Sequence, residues 1–416
     1  MDQEQPAHLT AHERVAPMRA GPSGPLLGVR VLDVTQAIAG PWASMMLADL
    51  GADVVKVEPP NGEQQRYTGP FTRDDELRSY GGGFGSYNRN KRAIALDLKD
   101  AADRAMFLRL VDTADILIEN MRAGVLDSLG LGFETLHARN RRLVYGAIRG
   151  FGDPRTGASP YATWPSYDLI AQAHGGMVAM TGPNAEQRIR SGPFVGDSYA
   201  GTVLAAAVLA ALHHARATGE GQFVDVAMSD AVMALCELGV TRYSYFGDYE
   251  TPPTGNTNSF LVPFDVFDSA DGAIAIGAPT DHHWRIIADV IGRPELGTDE
   301  RTARLKNRVK NRAVVIEPLA AWCHTHTNAE ILAELGGRAP VGVVNQPGDF
   351  FRDPHVAARE MLVAVPQPSG RPVVQTNTPM KFTATPGGIY RRPPLVDEHR
   401  AEILAELEAA EAERGA

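Results

Sequence analysis

Asp197 follows Gly196 at the head of an Ala-rich stretch, 198–217, that reads as a long helix. A carboxylate in that position can cap the helix. It can also be kept ionised by the backbone N–H groups and the helix dipole, and an ionised carboxylate can attack a carbonyl. Rival chemistries lack their signatures. No Gly-Lys pair exists, so no Walker A loop can form, and Gly-Asp-Ser-Tyr-Ala-Gly at 196–201 misses the Gly-x-Ser-x-Gly hydrolase elbow by one residue. Glu58 imitates the acidic residue that binds ribose in dinucleotide folds, but the turn 35–41 has no Gly-x-Gly-x-x-Gly. His282-His283 and Cys323-His324-Thr325-His326 have no convergent partners at a metal-site spacing, so no metal is expected.

The elements that would position Asp197 read as an α/β protein. β-branched runs at 29–34, 54–57, 93–98, 116–118 and 143–148 alternate with helical patterns at 42–50, 101–112 and 125–140, which predicts a parallel sheet with crossover helices. Two small-residue helical stretches follow, 167–180 and 198–217, then a strand at 223–227 and a helix at 230–243. A hairpin at 264–267 and 273–276, turning on Asp271-Gly272, and helices at 284–291, 309–325 and 328–335 indicate a smaller α+β domain. The expected organisation is a mobile leader at 1–25, a large domain at 26–227, a small domain at 228–340, and a C-terminal part at 341–416, with a strand at 372–375 and a helix at 399–412, returning to the large domain.

At 416 residues and 44% hydrophobic side chains, the chain can bury a large core. A net charge of -10 excludes nucleic acid or an anionic membrane as the main partner. No apolar run of roughly 20 residues reads as a membrane span, and the acidic start lacks the features of a secretory signal. With two distant cysteines, Cys236 and Cys323, these features indicate a reducing cytoplasm.

The stretch 28–41, Gly-Val-Arg-Val-Leu-Asp-Val-Thr-Gln-Ala-Ile-Ala-Gly-Pro, and 47–58, Leu-Ala-Asp-Leu-Gly-Ala-Asp-Val-Val-Lys-Val-Glu, resemble the opening of the class III CoA-transferases, the family of formyl-CoA transferase and carnitine CoA-transferase. Asn-Arg-Asn-Lys-Arg at 88–92 leading to Leu-Asp-Leu-Lys at 96–99, Glu-Asn-Met-Arg-Ala-Gly at 119–124, Tyr-Asp-Leu-Ile-Ala-Gln-Ala at 167–173, Gly196-Asp197, and Thr-Gly-Glu-Gly-Gln at 218–222 with Asp225 agree in order and approximate spacing.

The resemblance implies an interlocked homodimer whose Rossmann-like large domain is built from both ends of the chain. It also implies that CoA passes from an acyl-CoA to a small carboxylic acid through an aspartyl-CoA thioester on Asp197. CoA is then a substrate, no tightly bound cofactor is expected, and Gln36, Ala37, Leu96, Lys99, Asn120, Met121, Arg122 and Tyr167 form its site. Gln36, and Tyr167 as a second candidate, would serve near the thioester, with a turn-stabilising amide and a half-buried aromatic as their plain readings. Lys91 and Arg92 read equally well as a solvated turn.

Pro59 and Ser128 stand where relatives carry arginine. Thr163-Trp164-Pro165-Ser166 lacks the usual basic residue, and Thr-Asn-Ser-Phe-Leu-Val-Pro follows Gly255-Asn256 in place of a glycine-rich loop. These departures point either to different CoA phosphate contacts or to weaker CoA binding, and away from oxalate and formyl-CoA. The alternative of the same fold is an α-methylacyl-CoA racemase. That enzyme needs a His-Asp pair, and Tyr167 stands where its histidine would.

Overall fold

The structure, a computed structural model, describes residues 14–247 and 250–415. The first 13 residues of the expected leader lie outside this range. From Ala16 onward the chain makes contacts with its C-terminal part: the Ala16 N–H bonds Leu362 O at 2.8 Å, the Arg19 N–H bonds Ile389 O at 2.8 Å, and Ala16 and Met18 pack on Val363, Val365 and Ile389.

The chain divides into two compact units. The first takes in the chain up to Met177, Ser191–Val240 and the chain from Phe351 on; the second is Val178–Arg190 with Thr241–Phe350. These bounds differ from the expected 228–340 for two local reasons. The helix Met228–Leu235 packs on Val195–Thr218 and Asp168–His174 within the first unit, and Val341–Val343 pairs as a strand with Ala273–Gly277 in the second.

The first unit holds six parallel strands, β1 (Arg30–Asp33), β2 (Asp53–Glu58), β3 (Arg92–Ala95), β4 (Ile116–Glu119), β5 (Val144–Arg149) and β6 (Phe223–Ala227). Their order is β3-β2-β1-β4-β5-β6, so the chain reverses direction across the sheet between β1 and β4. Leu32, Val55, Ile94, Leu117 and Phe107 share one core cluster, and the helix Arg400–Gly415 adds Ile403 and Leu407 to it.

The helix Val195–Thr218 is long and apolar enough by composition to cross a membrane, which the sequence reading had not registered. It packs against the helix Ala39–Asp49, β5 and β6. The expected helix 125–140 is two short ones, Val125–Ser128 and Phe133–Arg139, parted where Gly130 takes φ +72°.

The second unit has a three-stranded antiparallel sheet of β7 (Phe264–Asp268), β8 (Ala273–Gly277) and β9 (Val341–Val343). Trp284, Leu319, Cys323 and Ile331 from its helices cover Ile274 and Ile276.

Candidate active site

Open parallel sheets bind ligands beyond the carboxyl ends of their strands, where the strand order reverses. The two residues just past that point grip each other: Asn120 Oδ1 accepts the Gln36 N–H at 2.9 Å, and Asn120 Nδ2 donates to Gln36 O at 2.8 Å. Beneath them the turn after β1 is tied from several sides. Thr35 N–H and Oγ1–H donate to Asp33 Oδ1, Lys56 Nζ donates to Thr35 O at 2.9 Å, and Ala37, at φ +64°, donates its N–H to Glu63 Oε2 at 2.8 Å.

The charges that hold this turn are buried. Lys91 Nζ meets Asp33 Oδ2 at 2.8 Å, Asn88 Oδ1 at 2.9 Å and Pro41 O at 3.1 Å, and Lys56 Nζ meets Glu63 Oε1 at 2.9 Å. Burial alone would raise Asp33, but Lys91 and Lys56 hold it far below the usual carboxylate range. Burial would likewise lower Lys56, yet Glu63, Asp33 and Glu58 keep it above its ordinary value. Lys91 is therefore no solvated turn residue. Arg92 is also buried, binding Asp53 from β2 together with Glu402 and Glu406 from the last helix.

A cavity of about 510 Å³ opens above this floor. Gln36, Ala37, Asn120, Met121, Arg122, Tyr167 and Asp197 all line it. Leu96 and Lys99 do not: the Leu96 side chain is packed in the core and Lys99 is exposed after β3. Arg122 is exposed and makes no ion pair among the described residues, whereas Arg149, also on the wall, is bound to Glu119 at 2.6 Å and Asp153 at 2.9 Å. Tyr167 is 71% exposed.

Asp197 sits in the first turn of Val195–Thr218, not at its cap, and is 8% exposed. Its carboxylate accepts no hydrogen bond among the described residues. Asp168 does the capping instead: its Oδ1 accepts the Gly196 N–H at 2.8 Å, and Gln172 Nε2 secures its Oδ2 at 2.7 Å. Gly196 permits this approach, because a Cβ there would lie 2.9 Å from Asp168 O.

Burial, and then the Asp168 charge, push the Asp197 carboxyl up to about 7. Desolvation and a like charge thus act against the ionised form that the helix start was expected to favour. Tyr87 stands close enough that burial and the Asp197 charge raise its hydroxyl. Sequence reasoning passed over Tyr87 and Glu63, and weighed Asp168 only as half of a racemase pair. Tyr87 immediately precedes the quoted Asn88 motif, but nothing local distinguishes Glu63.

A buried carboxylate that shares a cavity wall with Arg122 and the exposed Gln36, and that accepts no hydrogen bond among the described residues, suits nucleophilic attack on an activated acyl group held in the cavity. Comparisons with known proteins give the class of reaction. Residues 26–400 match the model of CoA-transferase family III. A succinyl-CoA:mesaconate CoA-transferase of Haloarcula hispanica is 44% identical over 92% of this chain and 96% of its own length. A succinate–glutarate CoA-transferase of Agrobacterium fabrum is 35% identical over 93% and 96%. The crystal structure of a CAIB/BAIF family protein from Brucella suis superposes with a TM-score of 0.81 at 33% identity, covering 92% of this chain and 100% of that one. The chain belongs to CoA-transferase family III and is an enzyme that transfers CoA between an acyl-CoA and a carboxylic acid.

Proposed function

We propose that Asp197 is the nucleophile of this transfer, with succinyl-CoA as donor and a short dicarboxylic acid of the mesaconate type as acceptor. An Asp197 oxygen attacks the donor thioester carbonyl and expels CoA thiolate, leaving a mixed anhydride. The thiolate attacks the aspartyl carbonyl, giving aspartyl-CoA and free succinate. The acceptor carboxylate attacks that thioester and again expels the thiolate, which then takes the acceptor acyl group and restores the Asp197 carboxylate. The Gln36 side-chain amide donates to the oxyanion formed at each attack, and Arg122 attracts the CoA phosphates.

The observation that carries this reading is the buried Asp197 carboxylate on the cavity wall, unengaged by any donor among the described residues. The choice of donor and acceptor rests on the 44% identity to the mesaconate enzyme. Incubation with succinyl-CoA and no acceptor should attach CoA to the Asp197 peptide, read by mass spectrometry. No adduct on any peptide, with transfer intact, would exclude a covalent route.

The working form is a homodimer in the cytoplasm. Leu169, Ile170, Met233, Leu235, Leu238 and Val240 of the first unit are each between 43% and 58% exposed, apolar side chains that a partner copy would cover. Light scattering should give twice the chain mass at nanomolar protein.

A further inference from the structure

Gln36 has its backbone fully engaged and its side chain exposed, and the groups on either side of it lead to one ion pair. One residue before it, Thr35 O accepts from Lys56 Nζ at 2.9 Å; one residue after it, the Ala37 N–H donates to Glu63 Oε2 at 2.8 Å. Lys56 Nζ and Glu63 Oε1 are themselves 2.9 Å apart, and both side chains are inaccessible to solvent. Glu63 is braced in turn, its N–H donating to Glu58 Oε2 at 3.1 Å, and Glu58 is held by Arg66. The pair therefore clamps the turn at both flanks of Gln36, and Ala37 is kept in a left-handed conformation that a non-glycine residue rarely adopts unaided. Glu63 also reaches the cavity wall that Gln36 and Asp197 line.

We infer that Glu63, acting with Lys56, is a positioning residue that fixes the Gln36 amide where charge develops during attack by Asp197. This rests on the reading of Gln36 as the oxyanion donor. Such a donor is effective only when held in place before the reaction, so losing its clamp should resemble losing the donor. Ligand binding, shared with Arg122, Met121 and the rest of the cavity lining, should change far less than the rate.

The test measures the rate of Asp197–CoA adduct formation in single turnover, together with CoA affinity by calorimetry, in the full-length enzyme. Gln36→Ala should slow adduct formation roughly 100-fold and Glu63→Ala roughly 10- to 100-fold, with CoA affinity kept within about threefold. Combined, they should be scarcely slower than Gln36→Ala alone, because Glu63 acts through Gln36. Equal factors for Glu63→Ala in both backgrounds would mean a general structural role and overturn the inference. A normal rate in Gln36→Ala would instead sink the underlying donor assignment, an outcome separable from the first.

Because an unpaired buried Lys56 could unfold Glu63→Ala, the double variant Lys56→Met/Glu63→Gln supplies a second arm. It leaves no buried charge unpaired and retains an oxygen for the Ala37 N–H. Because it also removes the Lys56 bond to Thr35 O, it keeps only the Ala37 half of the clamp and should form adduct about tenfold more slowly than wild type, with CoA affinity kept. A folded double variant at the wild-type rate would overturn the clamp.

Discussion

Asp197 and Asp168 meet at one helix start from two sides, and only Asp168 is given hydrogen-bond donors. The attacking form of Asp197 is the carboxylate, and its carboxyl is pushed up to about 7. The rate of the first half-reaction should therefore rise with pH through about 7 and level off above it. Asp168→Asn removes the like charge while its amide oxygen can still take the Gly196 N–H, so the acid limb of the pH–rate profile should move to lower pH. An unmoved limb would leave burial as the whole cause. The same shift has a stability sign. A carboxyl raised in the folded state favours folding while protonated, and that contribution is lost as pH rises from the ordinary carboxylate range through about 7. Asp197→Asn should thus be more stable than the wild type at pH 8, by up to ~4 kcal/mol, with a smaller gap at pH 5, as measured by urea melts. The same variant should lose adduct and transfer by several orders of magnitude, whereas a residue that merely capped the helix would tolerate it. Its position in the sequence singled out Asp197. Its raised carboxyl did not follow from that, because burial and Asp168 come from other elements.

Among the elements, the strand pattern was legible because each buried strand is a short β-branched run, and β1 to β6 lie within a few residues of their expected positions. The helices were legible in place but not in length. Expected as one helix over 167–180, the chain breaks after His174 where Gly176 takes φ +91°. The quoted Asn88–Arg92 stretch misled in another way, since its side chains face inward as supports. Arg89 binds Asp49 at 2.6 Å, and Asn90 reaches Asp49 at 2.8 Å. Arg89→Ala should strip a buried carboxylate of its cation and destabilise the fold by about 3–5 kcal/mol, with CoA affinity of the folded fraction unchanged. Close packing of helices is another element-scale constraint. A Cβ on Gly201 would come 2.4 Å from Ala39 O, and one on Gly196 would come 2.9 Å from Asp168 O. Gly196→Ala should destabilise by roughly 1–3 kcal/mol and, by shifting the first turn that carries Asp197, slow adduct formation more than it weakens CoA binding.

Across the whole molecule, the edge of the sheet at β3 is completed by residues from the far end of the chain. Arg92 is joined to Glu406 across 314 positions, and Ile403 and Leu407 sit in the same core as Val55 and Ile94. The sequence suggested this return, but which side chains anchor it could not be read off, because the acidic face of Arg400–Gly415 looks like an ordinary solvated helix. Removing residues 399–416 should expose that core and leave Arg92 short of its carboxylates. The truncated chain should lose cooperative melting of the first unit, measurable by circular dichroism, while binding of dyes to exposed apolar surface rises. The arrangement also fixes an order of events during synthesis. A chain emerging from the ribosome presents β1 to β6 early but cannot seal their core until Arg400–Gly415 has been made. In the interval both segments of the second unit, Val178–Arg190 and Thr241–Phe350, have already been synthesised. A chaperone that shields apolar strands should therefore stay with the nascent first unit and let go only once the final turns of Arg400–Gly415 are free.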